Sequence, residues 1–349
     1  MRTRALWASY VDTFPMVTEW AEWSEAEAAA KWDAALTTLP DYNVYQAYSW
    51  GEFKKRSGWI VRRGSVLVHS EPVAMAQCLV RELRSARVVV VWVPGGPVGS
   101  EVGRFRLGET LQERYRGWYL YLRANILEEA QSANRADMAS AGWTPVQTRL
   151  GSNLTFHLDL APDEKTRRRS LTSNWRHNLK RGEQRGGIIQ VWDENQPLEP
   201  VYAVYHETNR LKGIPERFSI DDLQALRRTQ GRAFTLAVVI GKDQRPCAIR
   251  GFARIGNKAY DLIAGVSSVG REQYSNYSLT WKLLELAREQ GVHLYDLSGA
   301  DPDAAASVFN FKKGLGGRLV SLVGEWEWAR SWWLRWGVNF GIRFRSAQI

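Results

Sequence analysis

Two adjacent lysines lie in a stretch whose composition suits a phosphate or an anionic transition state. Lys312 and Lys313 belong to the run FNFKKGLGG at 309–317, in which Phe309 and Phe311 precede the lysines and three glycines are interspersed after them. The lysines supply positive charge, and the glycines let backbone amides approach an anion closely. A solvated basic turn between two strands would show the same composition. Both interpretations predict a turn at this position.

Two apolar runs flank the lysines and are predicted to be strands. HLYDLSG at 293–299 indicates a buried strand that ends at a glycine, and RLVSLVGEW at 318–326 alternates apolar and polar residues. Asp296 falls at the end of the first strand, where it could act as a general base or serve as a buried structural carboxylate. No Ser-His-Asp or Cys-His arrangement is evident, so we predict no covalent intermediate.

A strongly basic segment at 165–185 could bind a phosphate backbone. It contains eight Lys or Arg residues and one acidic residue, Glu183, and Trp175 and His177 lie among the cations. The spacing of its apolar residues predicts one helix with an apolar stripe and a cationic face. Such a face is often only solvated, but here the cations are too numerous to pair within the segment, which favours contact with nucleic acid.

Length and composition limit the class of protein. With 349 residues, two domains are expected, and the formal charge of +10 with a pI near 9.6 favours anionic partners, although a basic chain can simply be soluble. Only Cys78 and Cys247 are present, without metal-ligand spacing, so we predict a reducing compartment and no metal. No secretory signal or membrane span is evident, which predicts a cytoplasmic protein.

The order of elements predicts an α/β (α+β) protein with two related units. Ser24 and Glu27 form a capping-box pattern for a first helix. In the second half, 234–268 reads as three antiparallel strands, followed by a helix and a strand, which is the order of acetyltransferase-like folds. We therefore predict two GNAT-like domains, 1–155 and 156–325, each a mixed, largely antiparallel sheet flanked by helices.

The motifs of the second half resemble those of the Fem family, the aminoacyl-tRNA-dependent peptidyltransferases that extend peptidoglycan precursors. The family has a tyrosine-bearing strand, a tryptophan-containing helix, a YDFGG-like strand end and an FKxxFGG loop. The matching positions here are Tyr260, Trp281, Tyr295 to Gly299 and Phe311 to Gly317. Leu315 departs from the pattern because an aromatic residue is usual there. The resemblance extends over most of residues 45–325.

The resemblance implies a substrate site between the two domains. The stretch around Trp50 is similar to the family's WxxxKxxxGW element, which assigns Lys54 to the diphosphate of a nucleotide-linked precursor. Arg210 resembles the arginine that shares this role, although cations at a helix C-terminus also need no ligand. Trp50 and Tyr260 are then expected to contact the same substrate. The first domain would bind the peptide precursor and the second the aminoacyl-tRNA.

The resemblance also assigns roles at the reaction centre and along the basic segment. Lys312 would stabilise charge electrostatically and Phe311 would shape the pocket for the acceptor end of the tRNA, with Asp296 as candidate base. The expected tRNA-binding residues are Arg167, Arg168, Arg169, Arg176, Lys180 and Arg181. The predicted reaction is aminoacyl transfer from tRNA to an amine of a peptidoglycan precursor or related small peptide, by a monomer that needs no cofactor beyond aminoacyl-tRNA.

Two other functions fit the same residues. An acyl-CoA-dependent N-acyltransferase would need a pyrophosphate loop near 270–278, but Tyr274 and Asn276 occupy positions that are normally glycine or small. A non-catalytic module that docks on tRNA or membrane is the third possibility. Incubation with charged tRNA or labelled acetyl-CoA would separate the first two.

The chain ends in a segment rich in tryptophan and arginine. Five tryptophans lie between 326 and 336, and arginines at 330, 335, 343 and 345 accompany them. This composition predicts an amphipathic helix over 326–345 that either packs on the first domain or contacts a membrane surface. A membrane contact would suit a lipid-linked peptide acceptor.

Overall fold

The computed structural model describes residues 17–130, 132–185, 187–213 and 216–347. The N-terminal sixteen residues, for which no secretory signal is predicted, lie outside these ranges. The described residues form fourteen strands: β1 (Thr18–Glu22), β2 (Ile60–Val68), β3 (Glu71–Leu83), β4 (Val88–Pro94), β5 (Val98–Gly99), β6 (Tyr119–Glu129), β7 (Trp143–Pro145), β8 (Leu154–Asp159), β9 (Ile188–Trp192), β10 (Phe234–Ile240), β11 (Pro246–Ile255), β12 (Lys258–Val266), β13 (Leu294–Asp296) and β14 (Arg318–Trp328).

Twelve α-helices in the described ranges cover the strands. They are α1 (Glu25–Leu36), α2 (Tyr48–Lys55), α3 (Glu101–Arg114), α4 (Ser132–Ser140), α5 (Glu164–Ser170), α6 (Ser173–Arg185), α7 (Glu199–Lys212), α8 (Ile220–Gln230), α9 (Ser268–Glu272), α10 (Ser275–Glu289), α11 (Ala306–Lys313) and α12 (Trp332–Ala347). The predicted capping box is confirmed: the Ser24 hydroxyl accepts from the Glu27 N–H, and the Glu27 carboxylate accepts from the Ser24 N–H. No helix in the described ranges is long and apolar enough to cross a bilayer.

The strands form one path in the order β1-β2-β3-β4-β6-β14-β8-β13-β12-β11-β10-β9. Within this path β4 pairs with β6 and β12 pairs with β13 in parallel, and the other pairs are antiparallel. Helix α3 connects the first parallel pair, and α9 and α10 connect the second. The two halves therefore repeat one pattern, and the predicted mixed, largely antiparallel sheets are confirmed.

Strand β14 belongs to both halves. Its first part, Arg318–Ser321, pairs with β8, and its later part, from Leu322, pairs with β6. The pairing shifts between Leu322 and Gly324, where Gly324 has a φ of +81° that favours glycine. The boundary predicted between residues 325 and 326 thus falls inside a strand.

The tail differs from its predicted extent. Trp326 and Trp328 are buried in β14, so they are core residues of the first half and not part of a helix. Helix α12 begins only at Trp332 and lies against β6. The alternation of apolar and polar residues that is typical of a strand continues as far as Trp326 and Trp328. The density of tryptophans made this alternation difficult to see in the sequence.

A buried ion pair supports β14 next to its shift in pairing. The Glu325 carboxylate accepts from the Arg123 side chain, with Nε at 2.8 Å, and from the N–H groups of Leu150 and Gly151 at 2.9 and 2.8 Å. Both charged side chains are almost fully buried. Loss of either charge would leave the other without compensation in a dry environment.

We expect Glu325→Gln to lower the free energy of unfolding by about 3 kcal/mol, because it leaves the Arg123 charge buried and uncompensated. Urea unfolding followed by circular dichroism measures the change. The matched control is Glu129→Gln, which removes the exposed partner of Arg318 on the same strand pair and should cost less than about 1 kcal/mol. Equal losses in the two variants would contradict this account of β14.

Candidate active site

Lys312 is buried at the end of α11, and its ammonium is held by backbone carbonyls. Its Nζ donates to the carbonyl oxygens of Ser298 at 3.1 Å and Gly299 at 2.7 Å, and the residue is only 8% exposed. The predicted turn is therefore wrong for Phe311 and Lys312, which lie on a helix; only the glycines after it form the turn. An ammonium has three donors, so one remains for a ligand.

The surroundings of Lys312 depress its basicity. Burial lowers the pKa of Lys312 to about 8, and Arg250 and Arg217 act in the same direction, while Asp261 and Asp296 oppose them. Desolvation disfavours the charged form of a lysine, and nearby cations add repulsion. The side chain can therefore exchange a proton near neutral pH, as chemistry at a carbonyl requires.

Ser298 shapes the carbonyl pair that holds this ammonium. Its backbone is left-handed, with a φ of +57°, which is uncommon for a residue other than glycine. The conformation is stabilised because the Ser298 N–H donates to Asp296 Oδ1 at 2.7 Å and its hydroxyl donates to the Asp261 carbonyl at 2.6 Å. Ser298 thus connects Asp261 of β12 and Asp296 at the end of β13 to Lys312.

Asp296 lies in a network of polar side chains. The Thr155 hydroxyl donates to its carboxylate, and His157 Nε2 lies 3.4 Å from Oδ2. The carboxylate raises the pKa of Tyr45 and, together with burial, that of Tyr260. The charge of Asp296 therefore acts on Lys312 as well as on the two tyrosines, and its hydrogen bonds also give it a structural role.

A pocket of about 500 Å³ opens beside Lys312 and is lined by cations. Lys212, Arg250 and Arg271 line it together with Phe311 and Lys312. Desolvation lowers the pKa of Lys212, and repulsion from Arg271 and Arg250 adds to this effect. Four cationic side chains and one carboxylate, that of Asp261, line this concave surface. The remaining excess of positive charge predicts an anionic ligand.

Asp261 is the acidic residue of this pocket, and sequence reasoning missed it. It accepts from Arg250 Nη2 at 2.6 Å and from Nε at 3.1 Å. Burial raises the pKa of Asp261, while Arg250 and Lys312 lower it. An acidic residue within the apolar strand YDLIAG was the signal that could have identified it, because such carboxylates are seldom buried without a partner.

Tyr45 contacts both Trp50 and Tyr260, and it was not identified as a site residue from the sequence. The ring centroid of Tyr45 lies 4.8 Å from that of Trp50 and 6.0 Å from that of Tyr260. Desolvation and Asp296 raise the pKa of Tyr45, whereas Arg217 and the Ser298 hydroxyl lower it. The predicted residues of the two halves therefore adjoin one site.

The two cations predicted to bind phosphate lie in different surroundings. Lys54 is half-buried, with Nζ 5.2 Å from the ring centroid of Trp50, and desolvation lowers its pKa against the attraction of Asp222. Arg210 is exposed near the end of α7 and does not line the 500 Å³ pocket, whereas Lys212, two residues later, does. The structure thus places Lys54 beside Trp50 but does not bring Arg210 to Lys312.

The basic segment forms two helices, not the one predicted. Helix α5 ends at Ser170, Leu171 is extended, and α6 begins at Ser173. The sequence SLTS supplies hydroxyls that compete for backbone groups and interrupt the helix, and Thr172 Oγ1 accepts from the Trp175 N–H at 3.4 Å. Trp175 also donates from Nε1 to the Phe311 carbonyl at 3.1 Å, which connects α6 to the helix that carries Lys312.

Several of the predicted tRNA-binding cations have partners inside the protein. Arg167 is buried and pairs with Glu285 at 2.7 Å, and Arg168 pairs with Glu164 and Glu183, so these charges are compensated within the fold. Arg181 donates to the Tyr274 hydroxyl, and Arg176 donates to the carbonyls of Leu171 and Arg169. Arg169 and Lys180 are exposed, as is Lys165. Within the segment the single acidic residue, Glu183, pairs with Arg168, and the other acidic partners of these cations lie outside it.

The arrangement is suited to reactions at an activated carbonyl. Lys312 offers a donor to a developing oxyanion, and the cations of the pocket suit a phosphorylated substrate. Asp296 and Asp261 lie close enough to influence the proton on Lys312. Within the described ranges, no group of three or more His, Cys, Asp or Glu side chains could hold a metal ion.

Comparisons with known proteins agree with this fold. The family described as Acetyltransferase (GNAT) domain matches residues 166–313. The crystal structure of FemX has a TM-score of 0.78 and 16% identity, over 92% of this chain and 100% of that chain. A search of the curated proteins finds no match.

Two further structures share the fold at lower similarity. The C-terminal domain of a putative lysylphosphatidylglycerol synthetase from Agrobacterium fabrum has a TM-score of 0.54 and 15% identity, covering 89% of this chain and 94% of that chain. A tandem GNAT protein from the clavulanic acid biosynthesis pathway has a TM-score of 0.53 and 15% identity, covering 90% and 99%. The predicted resemblance is thus confirmed for the fold, which this chain shares with FemX over 92% of its length.

We expect the Lys312 amine to titrate with a midpoint near pH 8, below the value of about 10.4 for an unperturbed lysine, because its ammonium is desolvated beside Arg250. Heteronuclear NMR of lysine labelled at Nζ measures this midpoint. The spectrum of Lys312→Met identifies the resonance by its disappearance. A midpoint above pH 10 would show that the ammonium is not desolvated in solution.

Proposed function

We propose that this protein transfers an aminoacyl group from aminoacyl-tRNA to the free amine of a peptide, such as a nucleotide- or lipid-linked cell-wall precursor. The proposal is supported mainly by one observation: a buried lysine with a lowered pKa forms part of the wall of a cation-lined pocket. The FemX fold and the Fem-like motifs around Lys312 give it a chemical context. The name lysylphosphatidylglycerol synthetase also implies an aminoacylated product, with a lipid as the acceptor.

The proposed reaction needs alignment and charge stabilisation more than it needs a new covalent intermediate. The acceptor amine attacks the ester carbonyl, a C–N bond forms, and the C–O bond to the ribose breaks. The amine loses a proton and the departing ribose oxygen gains one. The third N–H of Lys312 stabilises the oxyanion or protonates the leaving oxygen, and Asp296 is the candidate base.

The two substrates would approach from opposite sides of Lys312. The pocket with Lys212, Arg250 and Arg271 would take the phosphates of the tRNA end, and Phe311 would contact its terminal nucleoside. The aromatic side formed by Tyr45, Trp50 and Tyr260 would take the peptide precursor. Lys54 and Arg210 remain the proposed diphosphate ligands, and Arg217 joins them because its charge acts on both Tyr45 and Lys312.

A basic surface leads from this pocket along the second half of the chain. The exposed Lys165, Arg169 and Lys180 lie on α5 and α6, and Trp175 of α6 packs on Phe311 with ring centroids 5.5 Å apart. Helix α6 is therefore packed on the helix that carries Phe311 and Lys312. We propose that Arg169 and Lys180, with Lys165, contact the phosphate backbone of the tRNA, while the buried Arg167 has a structural role.

An acyl-CoA-dependent N-acyltransferase is the second candidate. The match of residues 166–313 to an acetyltransferase-type domain favours it, since a diphosphate could also occupy the cationic pocket. The backbone before α10 has the left-handed Tyr274, with a φ of +57°, in place of a glycine. The Tyr274 ring lies under Arg181 at 5.2 Å, which fills space that a glycine-rich loop would leave open.

We expect Lys312→Met to lower kcat for aminoacyl transfer by about 10²-fold to 10³-fold, because the transition state loses its charged donor. The assay measures transfer of a labelled amino acid from charged tRNA to a peptide amine. The neighbouring Lys313→Met, which removes an exposed ammonium, is the matched control and should retain activity. Full activity of Lys312→Met would refute the assigned role, and transfer from labelled acetyl-CoA alone would favour the second candidate.

We expect replacement of Lys165, Arg169 and Lys180 by glutamine to reduce the slope of log K for tRNA binding against log salt by roughly two, because fewer counterions are released. Filter binding at several salt concentrations measures the slope. A control variant with Arg232, Lys242 and Arg245 changed to glutamine removes the same charge from exposed positions elsewhere. If both variants lose the same amount, the effect comes from net charge and not from this surface.

A further inference from the structure

The C-terminal helix α12 turns its polar side chains toward the protein. Asn339 is 2% exposed, and its side-chain amide donates to Glu327 Oε2 at 2.8 Å. Arg335 donates from Nη1 to the Thr144 hydroxyl at 3.0 Å. These contacts attach α12 to β7 and β14, and Leu334 completes the attachment by packing with Tyr121.

The opposite side of α12 is aromatic and open. Trp332 and Trp336 are 74% and 64% exposed, and a side chain added at Gly337 would meet no described atom within 4 Å. Trp333 lies 5.1 Å from Tyr119, a residue of β6 that is itself half-exposed. A surface helix normally turns its polar residues to water and its apolar residues to the core. In α12 only part of this pattern holds, because Leu334 and Val338 pack on the protein while Trp332 and Trp336 face outward.

The charge of this region is entirely positive along the chain. No Asp or Glu follows Glu327, whereas four arginines do. Arg330 is exposed just before the start of α12, whereas Arg343 donates to the Thr148 hydroxyl and to Gln147 Oε1 on the side that faces the protein. Arg87 is exposed as well and lies next to Tyr119, whose N–H donates to the Arg87 carbonyl at 2.7 Å. The surface thus combines indole rings with a border of guanidinium groups.

We propose that the outer side of α12, together with Tyr119 and Arg87, binds the surface of an anionic phospholipid bilayer. Indole rings partition to the level of the headgroups, and arginines beside them pair with lipid phosphates. A helix of 16 residues spans about 24 Å along its axis, less than the bilayer core of roughly 30 Å. It would therefore lie in the plane of the interface.

Charge favours a bilayer over a second copy of this chain as the occupant. A symmetric dimer through this surface would place the same arginines opposite one another, with no acidic residue after Glu327 to compensate them. An anionic bilayer supplies the opposite charge over the whole surface. The protein as a whole carries a formal charge of +10, which adds long-range attraction.

The test is flotation of the full chain with vesicles of phosphatidylcholine, with or without phosphatidylglycerol. We expect binding to the anionic vesicles that weakens with salt, and a loss of at least about tenfold in partitioning for W332S/W336S, because two indoles no longer insert. The matched control I188S/V191S removes two exposed apolar side chains on the edge strand β9 and should bind as the parent chain does. Circular dichroism shows whether each variant is folded.

A blue shift of tryptophan emission on adding anionic vesicles, absent in W332S/W336S, is expected in the same samples. The proposal is overturned if the parent chain does not bind, or if W332S/W336S binds as well as the parent. Sedimentation without lipid measures whether the chain associates with itself. Self-association that is lost in W332S/W336S would show that a second copy of the chain covers this surface, and would also overturn the proposal. None of these measurements depends on the transfer reaction.

Discussion

The burial of one ammonium group is the constraint on which the candidate site depends. Lys312 is kept from water, and the carbonyls of Ser298 and Gly299 compensate its charge. That compensation requires the left-handed turn at Ser298, which in turn requires β13 to pair with the first part of β12. The position of α11 depends on Trp175, since its indole donates to the Phe311 carbonyl. The reactivity of a single side chain therefore rests on nearby carbonyls and on a contact between residues 136 positions apart.

The junction between the two halves determines what lies beside that lysine. Strand β14 pairs with both halves, and an apolar cluster that includes Tyr42 and Tyr260 fills the space between them. The Lys258 ammonium adds a direct connection, because it donates to the Pro40 carbonyl at 2.6 Å. Through this junction the aromatic residues of the first half adjoin the charged residues of the second. A site with an apolar side and a cationic side suits a reaction between two substrates of different chemistry.

The positive side chains of this protein fall into two groups, buried and surface-exposed, that the composition alone does not distinguish. Some arginines act inside the fold: Arg167 pairs with Glu285, and Arg123 pairs with Glu325. Others remain on the surface, along α5 and α6 and around α12. A net charge counts both groups equally, although only the second is accessible to an anionic partner. The distinction also explains why a run of cations overstates the size of a binding surface.

The sequence by itself determined the class of fold, most of the pattern of strands and helices, and the choice of Lys312 and Phe311 as candidate residues. These follow from local signals: alternation, capping residues, turn residues and a motif of adjacent positions. Only the tertiary structure decided that Lys212 and not Arg210 lines the pocket, that Tyr45 joins Trp50 to Tyr260, and that Trp328 is a core residue. The physical reason is that desolvation and charge pairing depend on neighbours from distant parts of the chain. Periodicity, in contrast, is a property of each segment on its own.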